Sequence, residues 1–139
     1  MAMSRKDVLV IAAVLVVALH SRSGPISAGQ VARRLGLPSR HLEPVLQALV
    51  HDNILKGIRG PRGGYRIARE PSTITMEDIL RSARRVNETD DASEGSEIFE
   101  LVVGPALELA ESTFYASLRQ ITLSVLIQGA SLHEGQLVA

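Results

Sequence analysis

The most pronounced pattern along the chain is a run of twelve apolar residues, 8–19, preceded by Arg5, Lys6 and Asp7. Ser4 followed three residues later by Asp7 is a capping-box-like start, so a helix is predicted from there to about His20. A helix apolar on nearly every side belongs in a core. Twelve helical residues span about 18 Å, short of a hydrocarbon layer of about 30 Å, and no small-residue cleavage site follows His20. Burial is therefore expected here, not membrane insertion or export, and a cytoplasmic location fits best.

Ser23, Gly24 and Pro25 stop that helix, and Ser27 with Gln30 opens a short second one that ends at Gly36. Leu37 and Pro38 make a turn. Ser39 is then expected to cap a third helix running to about His51, with Leu42, Val45, Leu46, Leu49 and Val50 recurring three and four residues apart. Its other face carries Arg40, His41, Gln47 and Asp52. The pattern next switches to two short β-like runs, 54–58 and 65–68, joined by Arg59-Gly60-Pro61-Arg62-Gly63-Gly64. Thr75 and Asp78 start a further helix to about Arg85, and residues 86–96 read as an acidic loop.

From about Glu97 a long helical stretch is predicted, with Gly104-Pro105 as a candidate break. Val103, Leu107, Ala110, Phe114, Leu118, Ile121 and Val125 step along it by three and four. Such a stripe in an acidic helix needs a cover, and a second copy of the chain is the economical one. Leu107, Ala110, Phe114, Leu118, Ile121 and Val125 are the expected dimer contacts. The resulting fold class is mainly α with a small β-hairpin: a winged helix-turn-helix over residues 1–85, an acidic loop over 86–96, and a helical dimerisation region over 97–139.

Composition removes several function classes. The 139 residues include no cysteine, so disulfides, thiolate zinc sites and all-cysteine iron-sulfur clusters are unavailable. Only four aromatics can enter the core, which must consist of Leu, Val, Ile and Ala. His20, His41, His51 and His133 lack ligand spacing, and no nucleophile motif or phosphate-cradling glycine loop can be assembled. No metal, no cofactor and no catalysis are expected.

Charge adds what composition hides. The formal net charge is zero, yet residues 1–85 sum to +8 and residues 86–139 to −8. That asymmetry suggests a polyanion partner for the first half. A short helix, a Gly-Leu-Pro turn, a second helix and a hairpin with an arginine tip follow the order of a winged helix-turn-helix. In that geometry Ser39, Arg40, His41 and Glu43 face base edges in a major groove. The helix starts at Ser27, Gln30 and Ser39 offer amides to phosphate. At the hairpin tip, Gly60, Pro61, Gly63 and Gly64 keep the turn bare while Arg59, Arg62 and Arg66 project charge. An arginine there gains from the narrow minor groove's negative potential.

These residues carry a resemblance. The segments Ile26-Ser27 to Gly36, Arg40-His41-Leu42-Glu43 to Leu49, Arg59-Gly60-Pro61-Arg62-Gly63-Gly64-Tyr65, Ile74-Thr75 to Leu80, and Ile121-Thr122-Leu123 resemble the Rrf-two (Rrf2) family of bacterial repressors over residues 5–127. The resemblance implies a homodimeric winged-helix protein that binds double-stranded DNA at a partly palindromic operator, with Arg59 entering the minor groove and the long C-terminal helix crossing its partner's. Many members hold an iron-sulfur cluster on three cysteines in the loop corresponding to residues 86–96, where this chain has none. The cluster should be absent, and an unidentified protein or small molecule would serve as effector.

Pro44 falls inside the expected recognition helix, where proline deletes a backbone hydrogen bond. A late start or a slight bend is expected, either of which changes the aim of Arg40 and His41. A different class of function also fits the charge split: an interaction module whose acidic C-terminal half docks a partner protein, with weak or no DNA binding.

Overall fold

A computed structural model describes residues 3–86 and 96–134. The expected acidic loop lies outside the described residues except for its ends. Helix α1 spans Arg5–Leu19 and starts at a reciprocal capping box: Asp7 donates its N–H to Ser4 Oγ (3.1 Å) and Ser4 donates its own to Asp7 Oδ2 (2.9 Å). Val10, Ile11, Ala13, Val14, Val17 and Ala18 are buried, so the apolar run forms the central rod of the fold. Among the described residues no helix is long and apolar enough to cross a membrane.

Helix α2 (Ala28–Leu35) packs on α1, and α3 (Ser39–His51) packs on α2. The α2 start is a second capping box, with Gln30 N–H on Ser27 Oγ (3.2 Å) and Ser27 N–H on Gln30 Oε1 (3.0 Å). Gly36 ends α2 with φ +68°, a left-handed conformation suited to glycine. The cap expected at Ser39 is corrected: Pro38 occupies the cap position without a side-chain bond, and Ser39 is the first helical residue. Proline's fixed φ already supplies the entry geometry, and the Ser39 hydroxyl is left exposed. Pro44 lies within α3, which continues to His51, and having no N–H it leaves the Arg40 carbonyl without its helical donor.

Strands β1 (Leu55–Ile58) and β2 (Gly64–Ile67) pair antiparallel, with Leu55 opposite Ile67 and Ile58 opposite Gly64. The hairpin is fastened to the helices at its base. Ile54 and Leu55 are fully buried, each contributing roughly 1.5–3 kcal/mol relative to exposure. Ile26 exchanges two backbone hydrogen bonds with Tyr65, so the residue entering α2 forms a short third rung beside the wing.

Helix α4 (Met76–Val86) opens at Thr75, whose Oγ1 accepts from Asp78 N–H (3.1 Å) while Asp78 Oδ2 accepts from Thr75 N–H (3.0 Å). A π-helical turn, Phe99–Val103, leads into α5 (Gly104–Arg119). The candidate break at Gly104-Pro105 is thus a widened turn, not an interruption. Gly104 donates to the Phe99 carbonyl five residues back, and Pro105 has no N–H to return to Leu101.

The interruption comes later. The expected continuous stripe to Val125 is broken at Gln120 to Thr122, where Thr122 takes extended backbone angles and caps α6 (Leu123–Ser131). Met76 N–H bonds the Ile121 carbonyl (2.9 Å) and Leu123 N–H bonds the Ile74 carbonyl (2.8 Å), clipping the start of α6 to the start of α4. Leu123 is buried in the same core as Val14 and Ile74. Leu118, expected at a dimer contact, is buried within this chain beside Leu80 and Tyr115.

Candidate nucleic-acid interface

Ser39, Arg40, His41 and Glu43 all lie exposed in the first turns of α3. The α3 start directs exposed amides and the positive end of the helix dipole outward, a favourable setting for a phosphate oxygen. At the α2 start the capping box occupies the Ser27 hydroxyl and one oxygen of Gln30, leaving the Gln30 amide hydrogens to reach outward.

The wing is built for close approach at its tip and for rigidity at its base. Arg59, Gly60, Pro61, Arg62 and Arg66 are exposed, whereas Gly63 and Gly64 are half-buried. A Cβ on Gly63 would stand 2.1 Å from the Ile58 carbonyl oxygen, and one on Gly64 would stand 2.4 Å from that of Ile26. Glycine at these two positions is a packing requirement of the turn, which fixes where Arg59 and Arg62 point. Burial, followed by the nearby Glu43 carboxylate, pushes the Tyr65 phenol above its ordinary pKa, while a hydrogen bond with Gln47 acts the other way. Tyr65 therefore couples the wing to α3, a link absent from the sequence reading.

The arginines divide into two sets. Among the described residues the ion pairs are Arg69 with Asp78, Arg81 and Arg119 with Glu77, Arg84 with Asp7, and Arg85 with Asp52. None involves Arg5, Arg22, Arg33, Arg34, Arg40, Arg59, Arg62 or Arg66. Arg33 and Arg34 end α2, where cations suit the helix dipole, and they were not among the expected contacts. The charge pattern of that last turn was the signal that could have flagged them.

The paired set serves structure. Arg84 reaches Asp7 through two nitrogens (3.0 and 3.4 Å) and the Tyr115 hydroxyl (3.1 Å), joining α1, α4 and α5. Burial pushes the Asp7 carboxyl up, and the Arg84 and Ser4 hydrogen bonds more than reverse it, leaving its pKa below the usual value. Arg81 stacks 3.8 Å over the Tyr115 ring. A cleft of about 730 Å³ runs past Arg69, Arg81, Arg84 and Arg85, but each guanidinium there already faces a carboxylate. Of the eight arginines outside these pairs among the described residues, six lie on α2, α3 and the wing, and Arg5 and Arg22 lie in α1 and just after it.

Of the expected dimer contacts, Leu107, Ala110 and Val125 are exposed, Phe114 and Ile121 are half-buried, and Leu118 is interior. The most exposed large apolar residues of the described part of this region are instead Leu132 (84%), Leu101 (76%), Ile98 (72%) and Leu109 (72%).

Comparison with known proteins agrees with this geometry. The Rrf2 family model, described as an iron-dependent transcriptional regulator, matches residues 3–129. The HTH-type transcriptional regulator IscR of Photorhabdus laumondii is 30% identical over 93 residues, covering 67% of this chain and 55% of that protein. The chain thus spans about half the length of the curated relatives it matches. Among solved structures, IscR from T. potens superposes with a TM-score of 0.71 at 29% identity, over 100% of this chain and 93% of that one. CymR, the global cysteine regulator of B. subtilis, superposes at 0.66 with 25% identity over 92% and 97%.

The family description raises iron. A cluster held by cysteine thiolates does not fit a chain without cysteine, and among the described residues no group of three or more His, Asp or Glu could hold a metal ion. With a winged helix-turn-helix in place and a family match over most of its length, the chain belongs to the Rrf2 family of DNA-binding transcriptional regulators, which are not enzymes.

Proposed function

We propose that this protein is a repressor that binds a specific operator as a homodimer and works without an iron-sulfur cluster. The observation that carries the reading is the distribution of its arginines: of the eight in no ion pair among the described residues, six lie on α2, α3 and the wing. Desolvating an arginine without a counter-charge is costly, so a surface that keeps several together suits a polyanion. Ser39, Arg40, His41 and Glu43 read base edges in this proposal. Gly60, Pro61, Gly63 and Gly64 let Arg59, Arg62 and Arg66 approach the adjoining groove, and Ser27 and Gln30 hold backbone phosphate.

Dimerisation supports the same reading, because two half-sites need two recognition helices. Its proposed contacts are the exposed apolar residues of the π-helical turn and α5, namely Ile98, Leu101, Leu107, Leu109 and Ala110, with Phe114, Ile121 and Val125 at the margin. The test is fluorescence anisotropy with a fragment of the protein's own promoter region across a salt series. Binding whose logarithm falls steeply and linearly with the logarithm of salt is expected. Absence of binding in dilute buffer would refute the proposal and favour a protein-docking role for the acidic half.

A further inference from the structure

The outer face of α3 carries two residues outside the proposed set of base contacts, Pro44 and Gln47. At about 100° of rotation per residue, Arg40, Glu43, Pro44 and Gln47 fall within one sector roughly 100° wide, and each of them is exposed. The buried residues Leu42, Val45, Leu46 and Leu49 occupy the opposite side. This stripe is therefore the surface that leads when α3 enters a major groove with its core face turned away. Ser39 and His41 lie about 100° to either side of Arg40, toward the walls of such a groove.

Pro44 is the apolar member of the stripe. Its ring stays outside the hydrophobic core, and without an N–H it removes a helical bond to the Arg40 carbonyl, so neither packing nor helix hydrogen bonding favours proline here. An exposed pyrrolidine on a groove-facing helix does suit the thymine 5-methyl, the apolar feature of a major-groove edge. Gln47 follows three residues later, and its side chain hydrogen-bonds the Tyr65 hydroxyl of the wing. An amide has two N–H donors and an oxygen with two lone pairs, so that one bond leaves a donor and an acceptor in hand. Adenine engages such a pair through N7 and its N6 amino group.

We infer that Pro44 and Gln47 are specificity-determining residues of the recognition helix: the Pro44 ring packs on a thymine 5-methyl, and the Gln47 amide makes paired hydrogen bonds to adenine N6 and N7. The inference rests on the proposed DNA reading and deepens it. Arg40 and Glu43, in the same stripe, suit guanine and cytosine by the same code, so the stripe addresses both kinds of base pair. Tyr65 is a positioning residue. Its bond restrains the Gln47 side chain before DNA arrives, which reduces the rotamer entropy lost on contact.

Two modified copies of the promoter fragment test this without knowledge of the operator. One carries deoxyuridine throughout in place of thymidine and so lacks the methyl; the other carries 7-deaza-deoxyadenosine in place of deoxyadenosine and so lacks adenine N7. By fluorescence anisotropy of the full chain, the unsubstituted protein should bind the first about fourfold more weakly per half-site and the second about tenfold more weakly. Pro44→Ser should lose the uridine penalty and keep the deaza penalty, and Gln47→Ala should do the reverse. Tyr65→Phe should shrink the deaza penalty alone, a selective effect that general loosening of the wing would not produce. Pro44→Ser takes a proline out of a helix and Gln47 is exposed, so unchanged far-ultraviolet circular dichroism is expected for both. Equal binding of all three fragments, or a penalty that survives in full in the matching variant, would overturn the inference while leaving DNA binding itself intact. Failure to bind the unmodified fragment would instead refute the DNA reading on which the inference rests.

Discussion

Tyr65 and Ile26 exchange backbone hydrogen bonds of 2.8 and 3.1 Å, so the wing strand and the entry to α2 form one small sheet. This joint leaves no room for a side chain on the neighbouring glycine. Gly64 has φ +150°, and a Cβ there would meet the Ile26 carbonyl carbon and oxygen at 2.5 and 2.4 Å. Gly64→Ala is therefore expected to destabilise the fold by about 2–4 kcal/mol through strain and backbone displacement. Gly57→Ala, with nothing within 4 Å, should stay within about 0.5 kcal/mol. Denaturant midpoints of the two variants measure the difference.

Arg59 and Arg62 lie exposed at the tip and join no ion pair among the described residues, so their removal should leave the fold intact and cost DNA affinity. Arg59→Ala combined with Arg62→Ala is expected to abolish binding to the promoter fragment at physiological salt. At lower salt any residual binding should show a salt slope shallower by about two phosphate contacts. Undiminished anisotropy for the double variant would remove the wing from the mechanism.

The apolar surface of α5 makes a separate prediction. Leu101 and Leu109 are largely exposed within one chain, so introducing charge there should cost the monomer little. Leu101→Glu with Leu109→Glu is expected to convert the proposed dimer to a monomer by sedimentation velocity, with an unchanged far-ultraviolet circular dichroism spectrum. A dimer that survives both substitutions would place the interface elsewhere.

Acid sensitivity should trace to Glu77. Its buried carboxylate accepts from Arg119 through Nε (2.7 Å) and a terminal nitrogen (2.9 Å), and from Arg81 (3.2 Å). The Arg119 hydrogen bonds lead in holding its pKa at about 2, against an ordinary 4.5, outweighing burial, which acts upward. Because the folded value is the lower one, this contribution to stability is fully present above pH 4.5 and disappears as pH falls toward 2. Glu77→Gln should cost about 1–3 kcal/mol at neutral pH and flatten the stability profile across that window. An unchanged profile in urea titrations at stepped pH would show that the pair contributes nothing.

Much of this architecture was legible because the signals were local. Ser4 with Asp7, Ser27 with Gln30 and Thr75 with Asp78 each announce a helix start through neighbours three residues apart, and all three boxes form. The wing was equally plain, since its glycines and proline encode a turn directly. What escaped the reading depends on distant residues. Leu118 has the spacing of an exposed stripe, yet Leu80 and Tyr115 cover it, and no periodicity along α5 could reveal a partner nearly forty positions away. The end of α5 escaped for the same reason, because the turn at Thr122 is held by pairing with Ile74 and Met76. The arginines were counted correctly but not sorted, since sorting them requires knowing which carboxylates lie across from each.

The clip between Ile74 and Leu123 makes everything from α4 to α6 a closed excursion that departs from the core and comes back to it. Growth or loss of whole turns at the outer end of that excursion would leave both anchor points where they are. In the proposed homodimer such changes would retune how far apart the two recognition helices sit, and so which operator spacing they accept, without touching a residue proposed to meet DNA.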